Sequence, residues 1–226
     1  MVSAVVVAAG ASRRMGRDKL FLELDGIPVV VRSLLALERT PSVSEVIVVT
    51  REELFGQYEQ WKNDYRLEKL SRIVAGGETR QQSVLNGIRV VSEASDYLAI
   101  HDGARPLVDP EDIEQVIRDA ERHGAATLGV PVKDTVKVVN SDGTIEATPD
   151  RSTLYLTQTP QVFRRSLYLE GVAAAGRDGK DFTDDCQLAE YAGYPVHMTV
   201  GSYTNIKLTT EDDLRSAEAF LRGTEK

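Results

Sequence analysis

The chain has 226 residues, 42% of them apolar, a formal net charge of −8 and a single cysteine, Cys186. That length supports one well-buried domain without demanding two, and the acidic balance argues against a general nucleic-acid binder. One thiol excludes an internal disulfide and a cysteine-rich metal site, and the absence of a long apolar stretch or a secretory leader pattern makes a cytoplasmic protein with no membrane partner the expectation.

The first predicted strand, residues 4–9, runs directly into Gly10-Ala-Ser-Arg-Arg-Met-Gly-Arg-Asp-Lys19. Small residues let a backbone approach a phosphate closely, and exposed N–H groups with nearby cations then hold its charge. Arg13, Arg14, Arg17 and Lys19 form a basic cluster that opposes the overall sign of the chain. Neither common phosphate loop is present. Gly10 and Gly16 have five residues between them and Arg17 follows, which breaks G-x-x-x-x-G-K-[ST]; Ser12 stands where G-x-G-x-x-G needs glycine. The cations must then carry more of the binding, which points to a nucleoside triphosphate rather than to a nicotinamide dinucleotide.

Further strands are predicted at 45–50, 71–75, 97–101, 125–130 and 196–200, alternating with helical patterns. Gly76-Gly77-Glu78-Thr79-Arg80-Gln81-Gln82-Ser83 is a glycine turn entering a helix with Val84, Leu85, Ile88 and Val91 on its inner face. Free N–H groups at such a helix start suit a base or a ribose. The strand at 97–101 delivers His101-Asp102-Gly103-Ala104-Arg105-Pro106, placing Asp102 at its carboxyl end. A carboxylate there can hold Mg²⁺ on a triphosphate, because hard cations prefer oxygen ligands; one Asp in isolation, however, favours simple capping of the following turn. His101 has no second histidine near it and is expected to pack. Asp109-Pro110 supplies an N-cap and a first-turn proline for the helix of Ile113, Val116, Ile117 and Ala120, which Gly124 stops.

Residues 134–156 break the rhythm as a hairpin around Ser141-Asp142-Gly143. A lone hairpin is marginal in water and should pack on something. A sheet extension and a dimerisation arm are equally compatible with the residues, and Arg151 falls on the return strand as a solvent-facing charge. Thr183-Asp184-Asp185 suits an N-cap cluster, and Asn205-Ile206-Lys207 sets a lysine beside a last helix. Thr210 and Asp213 open that helix as a capping box, with Leu214, Ala217 and Leu221 facing inward. The alternation predicts an α/β fold, a Rossmann-like, mostly parallel sheet with helices on both faces and ligands at the strands' carboxyl ends.

Seven ordered motifs also resemble a family. They are Ala-Ala-Gly-x-x-x-Arg-Met with Lys19, Gly-Gly-Glu-x-Arg-x-x-Ser, His-Asp-Gly-Ala-Arg-Pro, Pro-Val-Lys-Asp-Thr, Thr-Pro-Gln-x-Phe, Thr-Asp-Asp and Asn-Ile-Lys. Running from about residue 3 to 221, they resemble the 2-C-methyl-D-erythritol 4-phosphate cytidylyltransferases, CTP-using enzymes of non-mevalonate isoprenoid synthesis. Asp18, Leu20 and Asp185 stand where that family often has proline, glutamine and glutamate.

The resemblance implies a single nucleotidyltransferase domain over 1–226. It puts the triphosphate on Ala8, Ala9, Gly10, Ala11 and Ser12, with Arg14, Lys19 and Lys207 stabilising the reaction's charge. It puts the base and ribose on Gly77, Glu78, Ser83 and Gly103. Asp102 is implied to hold Mg²⁺ and the sugar phosphate, and Arg105, Thr135, Arg151 and Thr183 to bind that second substrate, methylerythritol 4-phosphate. It also implies a homodimer in which the arm at 134–156 carries Arg151 to the neighbouring site. Ribitol-5-phosphate cytidylyltransferases resemble the same motifs, but residues 131–135 and 76–83 lean toward the methylerythritol enzymes. A catalytically silent nucleotide-binding regulator is disfavoured by the joint presence of Arg14, Lys19, Asp102 and Lys207.

Overall fold

The computed structural model describes residues 1–10 and 19–223. In chain order the elements are β1 (Val2–Val7), β2 (Glu23–Leu24), β3 (Ile27–Pro28), α1 (Val29–Arg39), β4 (Val43–Thr50), α2 (Phe55–Asp64), β5 (Leu70–Ala75), α3 (Arg80–Ile88) and β6 (Tyr97–Asp102). They continue with α4 (Pro110–His123), β7 (Ala125–Pro131), β8 (Val138–Val139), β9 (Ile145–Ala147), β10 (Tyr155–Arg164), α5 (Arg165–Arg177), α6 (Asp185–Tyr191), β11 (His197–Val200) and α7 (Glu211–Gly223).

Seven strands form one sheet in the order β11-β7-β10-β6-β1-β4-β5. β10 runs antiparallel to both neighbours, and the remaining pairs are parallel. Successive side chains point to opposite faces of a strand, and this sorts the core into two. Ala4 and Val6 of β1, with Val46 and Val48 of β4, pack under α1, α2, α4 and α7. Val5, Ile47 and Val49 face α3, α5 and α6 on the other side. Because both faces are covered, the central strands are nearly continuous runs of small and β-branched apolar residues. Cys186 lies in the second core, where burial pushes its thiol pKa up.

The predicted helix ends are present. Asp109 accepts the Glu111 N–H at 2.8 Å, Pro110 begins α4, and Gly124 ends it at φ +90°. Thr210 and Asp213 cap α7 reciprocally, with Thr210 N–H on the Asp213 carboxylate at 2.8 Å and Asp213 N–H on the Thr210 hydroxyl at 3.3 Å.

Two features depart from the sequence expectations. β10, a central strand, is missing from them because it contains Pro160, and proline cannot donate to a ladder. The sheet accommodates it where the β10–β7 register shifts between Thr157 and Gln161. The hairpin is present as β8 and β9, turning at residues 140–144. Arg151, however, sits in a 3₁₀ turn, Arg151–Thr153, and not on a return strand. Asp150 sets this turn by accepting the Ser152 N–H at 3.0 Å. Residues 133–148 are exposed throughout.

Candidate active site

The carboxyl ends of β1 and β6, with the turns leading into α3 and α7, enclose a cleft of about 380 Å³. Ala8, Ala9, Gly10, Lys19, Gly77, Glu78, Ser83, Asp102 and Lys207 line it, joined by Thr79, Arg80, Ala104 and Thr209. Its two glycine-rich edges touch. A Cβ on Gly76 would come within 2.3 Å of the Ala9 Cβ, and one on Gly77 within 2.0 Å of the Gln82 side chain. Only glycine permits that approach.

The turn's N–H groups are less available than the sequence suggests. Gly76 N–H bonds to the Thr50 carbonyl at 2.8 Å, and Gly77 N–H to the Ser83 hydroxyl at 3.0 Å. Ser83 itself donates to the Thr79 carbonyl, and Ala8 N–H is held by the Val49 carbonyl. These groups build the wall of the cleft.

Asp102 is the electrostatic centre. It is 8% exposed, and three cations from three segments surround its carboxylate. Lys207 Nζ lies 2.8 Å from Oδ2, Arg105 Nε 3.8 Å from the same oxygen, and an Arg80 guanidinium nitrogen 3.7 Å from Oδ1. Burial alone would raise this carboxyl's pKa, but Lys207, then Arg80 and Arg105, outweigh it and hold the group at about 2. Asp102 is therefore ionised. The Asp102 N–H bonds to the Thr159 hydroxyl at 3.0 Å, and that hydroxyl also shares a hydrogen bond with His101 Nδ1 at 3.0 Å. His101 is fully buried, and burial lowers its pKa to about 4. It packs as a neutral ring.

Arg80 has no role in the sequence reading, yet it joins two carboxylates. One of its nitrogens lies 2.5 Å from Asp185, which also accepts the Tyr168 hydroxyl at 2.8 Å, and the other faces Asp102. The available signal was its position in the first turn of α3. A cation at a helix N-terminus opposes the helix dipole and calls for a paired anion.

The remaining predicted residues fall elsewhere. Gly103 follows Asp102, with its N–H on the Val7 carbonyl at 3.0 Å. Arg105 stands behind Asp102, donating to the Asn205 carbonyl at 2.7 Å. Thr135 and Arg151 are exposed on the arm and Thr183 is exposed before α6; none of the three lines the cleft. Ala11, Ser12 and Arg14 lie outside the described residues.

A family model described as IspD, 2-C-methyl-D-erythritol 4-phosphate cytidylyltransferase, matches residues 2–223. The chain belongs to this family. A relative of that name from Syntrophus aciditrophicus is 44% identical, over 98% of this chain and 96% of the other. Another from Caldanaerobacter subterraneus is 46% identical over 98% and 99%. Among solved structures, 4-diphosphocytidyl-2C-methyl-D-erythritol synthase from Anaerococcus prevotii superposes with a TM-score of 0.88 at 30% identity, covering 98% of each chain. The cytidylyltransferase from Thermus thermophilus superposes at 0.80 with 32% identity, covering 98% of this chain and 100% of that one. In this IspD-family chain the cleft brings Lys19, Arg80 and Lys207 together with the backbone walls at residues 8–10 and Gly77.

Proposed function

We propose that this chain transfers the cytidylyl group of CTP to 2-C-methyl-D-erythritol 4-phosphate, giving 4-diphosphocytidyl-2-C-methyl-D-erythritol and pyrophosphate. The observation that carries this reading is the charge arrangement of a family-matched cleft, with Arg80, Arg105 and Lys207 set around an ionised Asp102 and Lys19 on the cleft's lining. A phosphate oxygen of the sugar attacks the α-phosphorus of CTP in line. A new P–O bond forms, the bond to the β-phosphate's bridging oxygen breaks, and pyrophosphate leaves with that electron pair. A phosphate dianion is already nucleophilic, so the residues need supply no general base. Their task is to hold two anions together and to stabilise charge on the α-phosphoryl group and the leaving group. Lys19 and Lys207 do this from the cleft, with Arg14 as the third cation, while residues 8–12 and Gly77, Glu78, Ser83 and Gly103 cradle the nucleotide.

Among the described residues no group of three or more His, Cys, Asp or Glu side chains is placed to hold a metal. Asp102 alone nevertheless suits Mg²⁺, which is typically bound by one or two carboxylates together with substrate phosphates and water. Its Oδ1 is ionised and lies beyond hydrogen-bonding distance from Arg80. Bound there, Mg²⁺ would neutralise charge on the triphosphate.

The chain is proposed to act as one nucleotidyltransferase domain with the arm at 134–156, pairing as a homodimer. Arg105 serves the sugar phosphate from its own subunit. Thr135, Arg151 and Thr183 serve it from exposed positions, Arg151 across the dimer. Val139 and Ile145 on the arm, Leu156 at the start of β10 and Val200 on β11 are each more than half exposed, an apolar surface of the kind that marks an interface. No helix among the described residues is long and apolar enough to cross a membrane, and a cytoplasmic location is proposed.

Pyrophosphate release, measured with CTP, UTP and ATP against methylerythritol 4-phosphate and ribitol 5-phosphate, tests the assignment. CTP with methylerythritol 4-phosphate should be the best pair. UTP should lose by about tenfold or more, since a group set for cytosine and left unpaired costs about 1–3 kcal/mol. Equal efficiency with UTP, or faster turnover of ribitol 5-phosphate, would sink it.

A further inference from the structure

Residues 201–210, between β11 and α7, bring Lys207 and Thr209 into the cleft without helix or strand geometry to fix them. Asn205 is fully buried in this segment, an uncommon place for an amide side chain. Its Nδ2 donates to the Thr159 carbonyl at 3.0 Å and to Gln158 Oε1 at 3.3 Å. Gln158 Nε2 is committed to the Ser202 carbonyl at 2.8 Å, so the orientation of both amides is set. Asn205 Oδ1 has no hydrogen-bond partner among the described residues. The donor half of the amide is therefore what explains its burial.

The backbone of Asn205 then reaches the reaction centre twice. Its carbonyl accepts from Arg105 at 2.7 Å, and Arg105 Nε lies 3.8 Å from Asp102 Oδ2. Two residues on, Lys207 Nζ meets that same oxygen at 2.8 Å. Before Asn205 the segment is tied to β7, through Gly201 N–H on the Gly129 carbonyl and the Tyr203 hydroxyl on the Pro131 carbonyl, and beyond Lys207 it is tied by Leu208 N–H on the Ala104 carbonyl and Thr209 on Asp213. One buried amide thus joins β10 to both cations that converge on one carboxylate oxygen.

We infer that Asn205 is a positioning residue for cytidylyl transfer, locking residues 201–210 onto β10 so that Lys207 and Arg105 aim at Asp102. This rests on Lys207 acting in the transfer. Asn205 does not line the cleft, so it acts through those two cations. Aspartate has the same size, but it would set a carboxylate oxygen against two acceptors in a dry site.

The test is a double-mutant cycle on the full chain, with kcat and KM measured for CTP and methylerythritol 4-phosphate. Asn205→Ala should lower kcat by about 10–100-fold, the scale of an ångström-sized misplacement, with the KM for CTP moving less than about threefold. Asn205→Asp should be at least as damaged. In a Lys207→Ala background Asn205→Ala should cost about threefold or less, because the main group it aims is gone. An unchanged kcat, or the same fold-loss in both backgrounds, overturns the inference, since a general structural defect would multiply in full. Near-normal turnover of Lys207→Ala alone would instead refute the reading of the cleft. Should Asn205→Ala not fold, Asn205→Ser, with one donor hydroxyl, enters the same cycle under the same criteria.

Discussion

The cleft and the arm hold their proposed site residues in opposite ways. In the cleft, Asp102 is nearly buried and meets cations from α3, from the turn after β6 and from the segment before α7. On the arm, Arg151 and Thr135 are exposed, and Arg151 donates to the backbone carbonyl of Lys133 at 2.7 Å. Charges fixed in a low-dielectric site are worth far more to a reaction than the same charges in water. The nucleotide half of the proposed site is thus set within one copy of the chain. The sugar-phosphate half has residues on an exposed arm, where the proposed homodimer would bring a second copy.

The largest expected effect attacks the cleft side of this contrast. Lys19→Ala and Lys207→Ala should each cut turnover by about 10²-fold or more, the loss seen when one preorganised charge-stabilising group is removed. Folding should change little, since the Lys207 side chain is 42% exposed. Steady-state rates and thermal melts on the two variants decide, and near-normal rates would leave the cleft without its proposed role.

A smaller effect asks whether the cleft's charges are as tightly coupled in solution. The Asp102 carboxyl titrates at about 2 when folded, against an ordinary 3.8. Between those values the unfolded chain binds more protons, so stability falls as pH drops from about 4 toward 2, by about 2 kcal/mol. Above pH 4 the contribution is fully present. Denaturant midpoints across this range should fall less steeply for Asp102→Asn than for the parent. Parallel slopes would mean that Asp102 is not held by its three cations.

The smallest effect belongs to the arm. Arg151→Ala should raise the KM for methylerythritol 4-phosphate by about tenfold and leave that for CTP nearly unchanged, because a guanidinium fork pairs with phosphate through two bonds. Mixing this variant with Lys19→Ala sharpens the contrast. In a heterodimer one site carries both defects and the other neither, so random assortment should restore up to about a quarter of normal activity. Verified heterodimers that stay inactive would return Arg151 to its own subunit.

Much of the fold follows from local rules visible in the chain. The apolar runs of β1, β4 and β6, the Asp109-Pro110 start of α4, its Gly124 stop and the Thr210–Asp213 cap all act through near neighbours. β10 escaped because its pairing with β6 and β7 is nonlocal and tolerates Pro160 through a register shift. The site divides in the same way. Asp102 at a strand end and the small residues 8–10 were legible from strand-to-turn boundaries. The Arg80–Asp185 pair spans 105 positions and the Asn205–Thr159 bond 46, so neither leaves a spacing to read.

The inaccessible thiol of Cys186 gives this molecule a practical property. Cysteine reacts as the thiolate, and this side chain is both shielded in the second core and biased toward the protonated form. Maleimide dyes should therefore find no thiol to modify in the native protein. A single cysteine substituted at exposed Val139 would carry a fluorophore without background labelling, and energy transfer between two such positions would report how far apart the arms lie in the proposed homodimer while substrates come and go.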